Sequence, residues 1–198
     1  MIFGPAPAPP LGRPAGARAR ILWAAYDLFG RRGIRDVGVD ELVRASDVAK
    51  ATFYRHFRSK DEVALAYLGQ WYEERSATIE EAVARSGPGD PTAAVLAVFD
   101  AFEDWFRQGA VQVSCFPHVM MEMGSGHPLG RASIAYMART REQIAGLAAS
   151  AGLPDPAGFA WNIHILLKGA IVAAAEGDRR AAERAKDMAA LLITHDLR

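Results

Sequence analysis

Three features of the 198-residue sequence predict an all-α fold. Apolar side chains recur at helical spacing along most of the chain, Gly, Pro and capping residues punctuate it at helix-length intervals, and no segment alternates apolar and polar side chains as a half-buried strand does. Hydrophobic residues make up 51% and charged residues 23%, the balance of a chain that folds around a packed core.

The elements follow in order. Residues Met1 to Pro14 are rich in Pro and Ala and lack both a charged start and a long apolar run, so residues 1–15 read as a flexible arm rather than a signal peptide. From Ala17 to Arg32 the apolar positions Ile21, Leu22, Ala25, Leu28 and Phe29 make one helical stripe, and Gly33 stops it. A short helix is predicted from Val39 to Ala45, capped by Gly38, with Leu42 and Val43 inward and Asp40 and Glu41 near the positive end of its dipole. Ser46-Asp47-Val48-Ala49 then makes a tight break before a two-turn helix from Lys50 to Phe57, which is a helix-turn-helix outline. Ser59-Lys60-Asp61-Glu62 fits a capping box, Ser59 and Glu62 each satisfying a free backbone N–H of the other's residue, and opens a long helix ending near Arg85.

Gly87-Pro88-Gly89-Asp90-Pro91 breaks that helix and starts the next, with Asp90 as cap and Pro91 at the first helical position. Further helices are predicted at Thr92 to Arg107, Phe116 to Met123, Pro128 to Ser150, Pro156 to Glu176 and Arg179 to Thr194. The single cysteine, Cys115, excludes an internal disulfide and a Cys-based zinc framework and points to a reducing cytoplasm. No apolar stretch reaches the roughly 18 residues expected of a bilayer span.

The formal charge of zero hides a strong asymmetry. Met1 to Lys60 hold 11 Lys and Arg against 5 Asp and Glu, whereas Asp61 to Arg198 hold 12 against 18. A basic end on an acidic body suits a protein that presents one face to phosphates. On a helical projection of Ala49 to Arg58, Ala49, Phe53 and Phe57 share one side. Ala51, Tyr54, Arg55 and Arg58 share the other, with Lys50 and His56 flanking. The first face packs and the second is free to read a groove.

Lys50-Ala51-Thr52-Phe53-Tyr54-Arg55-His56-Phe57-Arg58-Ser59-Lys60 closely resembles the third helix and the start of the fourth in TetR-family regulators. The resemblance runs from Leu28-Phe29 and Gly33, through Val39-Asp40-Glu41-Leu42, to Asp61-Glu62, and beyond that it is one of helical layout alone. It implies a helix-turn-helix DNA-binding domain at residues 16–62 and a ligand-binding and dimerisation domain at residues 63–198. It implies that Tyr54 and His56 reach bases or phosphates, that Thr52 touches the DNA backbone, and that Lys60 binds phosphate at a helix N-terminus. Lys50 flanks them, and Arg55 has the fork to contact guanine. The family usually has Gly, Ser and Gly where this chain has Asp47, Ala49 and Ala51. Asp tolerates a left-handed turn position, Ala49 forfeits a hydroxyl cap worth about 1 kcal/mol, and Ala51 adds a methyl where the backbone nears DNA.

After Asp61 there is no metal-spaced His pair, nucleophile motif or phosphate-cradling loop, which speaks against an enzyme and against any cofactor or metal. Aromatic, Met and small residues concentrate there instead. Phe102, Phe106, Cys115, Met120, Tyr136, Trp161 and His164 are the candidate lining of an apolar effector pocket, with His118, His127 and Glu122 as further polar groups. Cys115 also allows an electrophile or soft-metal sensor, and a small buried hydrophobe is the plainer reading.

The resemblance further implies a cytoplasmic homodimer, paired through its last two helices, that represses from a palindromic operator until a small apolar or aromatic ligand releases it, with no membrane partner. The alternative is a helical small-molecule-binding protein or enzyme whose basic N-terminal module binds a protein partner.

Overall fold

The computed structural model describes residues 14–87, 89–107 and 115–197, and among them it has nine helices and no strand. The expected N-terminal arm lies outside the described residues except for its last two positions, and so does the side chain of Cys115. The helices are α1 (Ala17–Arg32), α2 (Val39–Ser46), α3 (Lys50–His56), α4 (Lys60–Arg85), α5 (Pro91–Arg107), α6 (Cys115–Met123), α7 (Pro128–Ser150), α8 (Pro156–Ala175) and α9 (Ala181–Asp196).

Helices α1, α2 and α3 close over a small core of Ile21, Phe29, Ile34, Val37, Leu42, Phe53 and Phe57, all buried. The first half of α4 completes that core, with Tyr67 edge-on to Tyr26 at 5.4 Å and to Phe29 at 5.6 Å between ring centroids. Further along, Trp71, Arg75, Ile79 and Ala82 bury themselves against the remaining helices. There α4 packs on α5 and α7, α5 on α9, α6 on α7, and α7, α8 and α9 in sequence.

Turn chemistry explains the joints. Gly33 takes φ 81° and its N–H closes α1 on the Phe29 carbonyl. Asp47, at φ 51° and ψ 52°, occupies the left-handed position anticipated for it, and Ala49 caps α3 without a side-chain hydrogen bond. Asp90 Oδ1 accepts from the N–H groups of Thr92 and Ala93, and Asp155 Oδ1 from Gly158.

Some expectations are corrected. Ser59 Oγ accepts from the Glu62 N–H at 3.2 Å, but the Glu62 carboxylate accepts from Arg58 at 2.7 Å rather than from Ser59. Ser59 is extended, at φ −152°, and the amide before it faces the carboxylate. The last helix starts later than its pattern suggested, because Asp178 Oδ1 accepts from the Arg180 N–H and holds that residue in a turn. Finally, α8 is apolar and long enough to cross a membrane by length and composition, with a mean hydropathy of 1.4. His164 and Lys168 interrupt its apolar run, so no uninterrupted apolar stretch of that length is visible in the sequence. The helix is packed between α7 and α9, where a hydrophobic stripe on each side is the ordinary requirement of a core helix.

Phe53 is fully buried and seats α3. Phe53→Ala should therefore destabilise the folded chain by about 3–5 kcal/mol, read as a lowered urea midpoint with a far smaller effect for Tyr54→Ala.

Candidate functional site

Because Phe53 and Phe57 point inward, α3 turns Ala51, Tyr54, Arg55 and His56 out together, and Arg58 follows on the same side. Tyr54 is 46% exposed, yet its ring lies edge-on to Phe53 at 5.4 Å, so it projects from a fixed base. Thr52 is half-buried. The guanidinium of Arg18, on α1, lies 5.2 Å from the Phe57 ring centroid and adds a cation at the edge of this surface.

The two lysines are placed differently. Lys50 Nζ is 2.7 Å from Asp40 Oδ1, an exposed pair whose hydrogen bond and charge hold the Asp40 carboxyl below its usual range and raise Lys50. Lys60 Nζ donates to the carbonyls of Ile34 (2.8 Å) and Arg35 (3.2 Å), tying the start of α4 to the α1–α2 turn. Of the six sequence-predicted DNA contacts, Tyr54, Arg55 and His56 thus share an open face. Thr52 borders it, and Lys50 and Lys60 are engaged within the protein.

The same α1–α2 turn receives the end of α6. Glu122 Oε1 accepts from the Arg35 backbone N–H at 3.0 Å, and Arg35 Nη2 donates to the Glu122 carbonyl at 2.6 Å. A Cβ on Gly33 would lie 3.3 Å from Glu122 Oε1, so the glycine permits this approach as well as the turn. His118 Nε2 stands 3.9 Å from Glu122 Oε2, and His127 caps α7 through Nδ1 while its Nε2 faces Asp61 at 3.5 Å. Of these groups, anticipated as ligand-orienting, Glu122 ties α6 to the α1–α2 turn and His127 faces α4, whereas the His118 contact with Glu122 lies within α6. Sequence reading missed the Arg35–Glu122 link because its partners are 87 residues apart and neither belongs to a motif.

The other end of α6 borders a cavity of about 30 Å³ between α4, α5, α7 and α8. Arg75, Phe102, Phe116, Met137, His164 and Lys168 are its principal walls. Its space admits one or two water-sized groups. Among the described residues, Phe102 and His164 are the predicted pocket residues found there. Phe106 and Met120 pack half-buried against the core, Tyr136 stacks on Tyr72 at 4.9 Å, and Trp161 faces outward beneath the Arg141 guanidinium, 4.0 Å from its ring.

Arg75 and Lys168 were not foreseen as lining residues. Arg75 is only 6% exposed, its guanidinium carbon 4.3 Å from the Phe102 ring and 4.4 Å from Trp105. Its spacing of four from both Trp71 and Ile79 was the available signal, an arginine inside an apolar stripe. His164 is equally buried, with Nε2 3.4 Å from Arg141 Nη1. Burial first, then the positive charges of Lys168, Arg141 and Arg75, push its pKa down to about 4. Lys168 is lowered as well, by burial and by Arg141.

Residues 21–67 match the family described as bacterial regulatory proteins, tetR family. A transcriptional repressor of Escherichia coli K12, NemR, is 29% identical over 98 residues, 50% of this chain and 49% of the repressor. A transcriptional activator of Mycolicibacterium smegmatis, FasR, is 33% identical over 88 residues, 43% of this chain and 40% of the activator. The matched segment therefore spans about half the length, or less, of these curated relatives. A solved TetR-family transcriptional regulator from Streptomyces coelicolor superimposes over 92% of this chain and 96% of its own, with a TM-score of 0.83 and 28% identity.

The lowered pKa of His164 makes a stability prediction of definite sign. Below pH 6.5 the unfolded chain takes up this proton before the folded one does, so the contribution is intact above 6.5 and is lost as pH falls toward 4. Between pH 7 and 5 the loss should be about 2 kcal/mol in urea unfolding, and His164→Gln should remove that part of the slope. Identical slopes in the two proteins would refute the assignment.

Proposed function

We propose that this chain, whose residues 21–67 match the family described as bacterial regulatory proteins, tetR family, is a sequence-specific DNA-binding regulator of transcription, most simply a repressor released by a small-molecule effector. The observation that carries this reading is the open face of α3. Tyr54, Arg55 and His56 emerge together from a helix seated by Phe53 and Phe57, and a rigid base lets side chains discriminate base edges rather than merely adhere to phosphates. Residues 16–62 form the DNA-binding domain and residues 63–198 the effector and dimer domain, in this reading. Thr52 and Arg58 border the reading surface. Lys60 acts by fixing the α1–α2 turn, and Lys50 exchanges Asp40 for a phosphate when DNA arrives.

The dimer is formed by α8 and α9. Trp161, Ile165 and Val172 on α8 and Met188 and Leu191 on α9 are between 53% and 71% exposed, a concentration of large apolar side chains unusual for a surface that faces water. A twofold axis through this face would join four helices and set two α3 helices about 34–36 Å apart, one turn of duplex. The effector acts through α6, whose Phe116 borders the cavity and whose Glu122 holds the α1–α2 turn.

Selection of bound sequences from random DNA, followed by titration at several salt concentrations, tests the reading. Tyr54→Ala should cost about 1–3 kcal/mol of discrimination between the selected site and random duplex, and Arg55→Ala should lower the salt slope by about 0.9 if it holds a phosphate. A flat sequence preference in the unaltered protein would defeat the proposal.

Sedimentation tests the dimer face separately. Ile165→Glu with Leu191→Glu should yield a folded monomer whose affinity for a two-half-site operator falls by at least about a hundredfold. A dimer that survives both charges would place the interface elsewhere.

A further inference from the structure

The wall of the cavity carries positive charge and no negative charge. Arg75 reaches it from α4 and Lys168 from α8, beside the imidazole of His164, which is neutral near pH 7, while Arg141 on α7 stands 3.4 Å from His164. Among the described residues the remaining walls are Phe102 from α5, Phe116 and Pro117 from α6, Met137 and Thr140 from α7, and Leu167 and Ile171 from α8. Every Asp and Glu of the chain falls within the described residues, and none lines the cavity. Among the described residues, neither Lys168 nor Arg141 has a carboxylate within ion-pair distance, although the surface of the protein is well supplied with such pairs. Gathering like charges in a partly desolvated place is unfavourable, and the arrangement gains energy from an anion that enters among them.

Resting on the reading of this cavity as the effector site, we infer that the effector is a small organic carboxylic acid, its carboxylate held by Arg75 and Lys168 beside His164 and its apolar or aromatic body lying against Phe102, Phe116, Met137 and Leu167. Guanidinium and ammonium groups favour a carboxylate by charge-assisted hydrogen bonds, whereas a cationic or quaternary ammonium ligand would meet repulsion from each. The space as it stands matches the head group alone. An apolar body needs Phe116 and Pro117 to yield, and these residues begin the helix whose far end grips Arg35. Head-group charge thereby selects the ligand, and the bulk behind it moves α6.

The test uses the full chain with benzoate, phenylacetate and hexanoate, each beside its amide, followed by thermal unfolding and by intrinsic tryptophan fluorescence, to which Trp71 and Trp105 beside Arg75 contribute. At least one acid should raise Tm progressively with concentration, and its amide should bind at least about tenfold more weakly. Arg75 is too deeply packed for its loss alone to be informative, so Lys168→Met carries the test and should weaken the acid about tenfold while leaving the amide unchanged. Equal binding of acid and amide, an unaffected Lys168→Met, or no acid bound at about 10 mM would each overturn the inference. A mobility shift on the same preparations separates the two readings. Retained DNA binding with no response to acids sinks the carboxylate alone, whereas acid binding without DNA binding sinks the regulator and leaves the anion site.

Discussion

A single helix, α4, is a wall of two cores at once. Its first turns carry Val63, Ala64, Tyr67 and Leu68 into the core beneath α3, and the next two turns carry Trp71, Arg75 and Ile79 into the core around the cavity. No loop intervenes between these sets, so a rotation or tilt that suits one core is felt by the other. Close-packed interiors resist continuous deformation and tend instead to switch between discrete arrangements. The aromatic chain along α4 makes this concrete: Tyr26 and Phe29 meet Tyr67, and four residues later Trp71 meets Phe116 at 5.7 Å and Trp105 at 6.5 Å.

Charge is distributed with the same economy. The basic N-terminal third offers exposed cations on α3, but its two lysines near that surface are restrained, one by a carboxylate and one by main-chain carbonyls. Affinity for DNA then depends on geometry as well as on net charge, because a cation already engaged contributes only the difference between its two partners. Inside the second core the logic reverses. Arg75 is kept in a low-dielectric place by three aromatic faces rather than displayed to solvent, and a guanidinium, weakly hydrated and always charged, tolerates this better than an ammonium would.

What the sequence revealed follows from the range of the forces involved. Helix limits set by local chemistry were legible: Gly33, Asp47, Asp90 and the Pro128 and Pro156 starts act on their own backbone. The two faces of α3 were legible because Phe53 and Phe57 are four apart. Interactions across the chain were not. Nothing local distinguishes Lys60 as a partner of the Ile34 carbonyl, Glu122 as a partner of Arg35, or Lys168 as part of a cavity wall. Aromatic content drew attention to Tyr136 and Trp161, whose rings serve stacking and an outer face, while the charged residues that give the cavity its character look like surface residues in a one-dimensional reading. The hydropathy of α8 misled in the opposite sense, since His164 and Lys168 interrupt an otherwise continuous apolar helix because they belong to the cavity.

Two routes lead from the cavity to the helix-turn-helix, and they differ in kind. The path through α4 is a packed core, stiff and insensitive to any one contact. The path through α6 ends in two hydrogen bonds to Arg35, beside a glycine whose missing side chain lets the helices meet. Such a short polar clamp is the easier of the two to break, because water replaces its hydrogen bonds at a net cost of about 1–3 kcal/mol, the size of a typical allosteric coupling. In the proposed regulator the clamp therefore sets how much effector energy reaches the DNA surface. The shared helix sets the direction in which that surface moves. A ligand that fills the cavity without displacing the start of α6 would bind and yet regulate nothing, since equal affinity for both arrangements shifts neither.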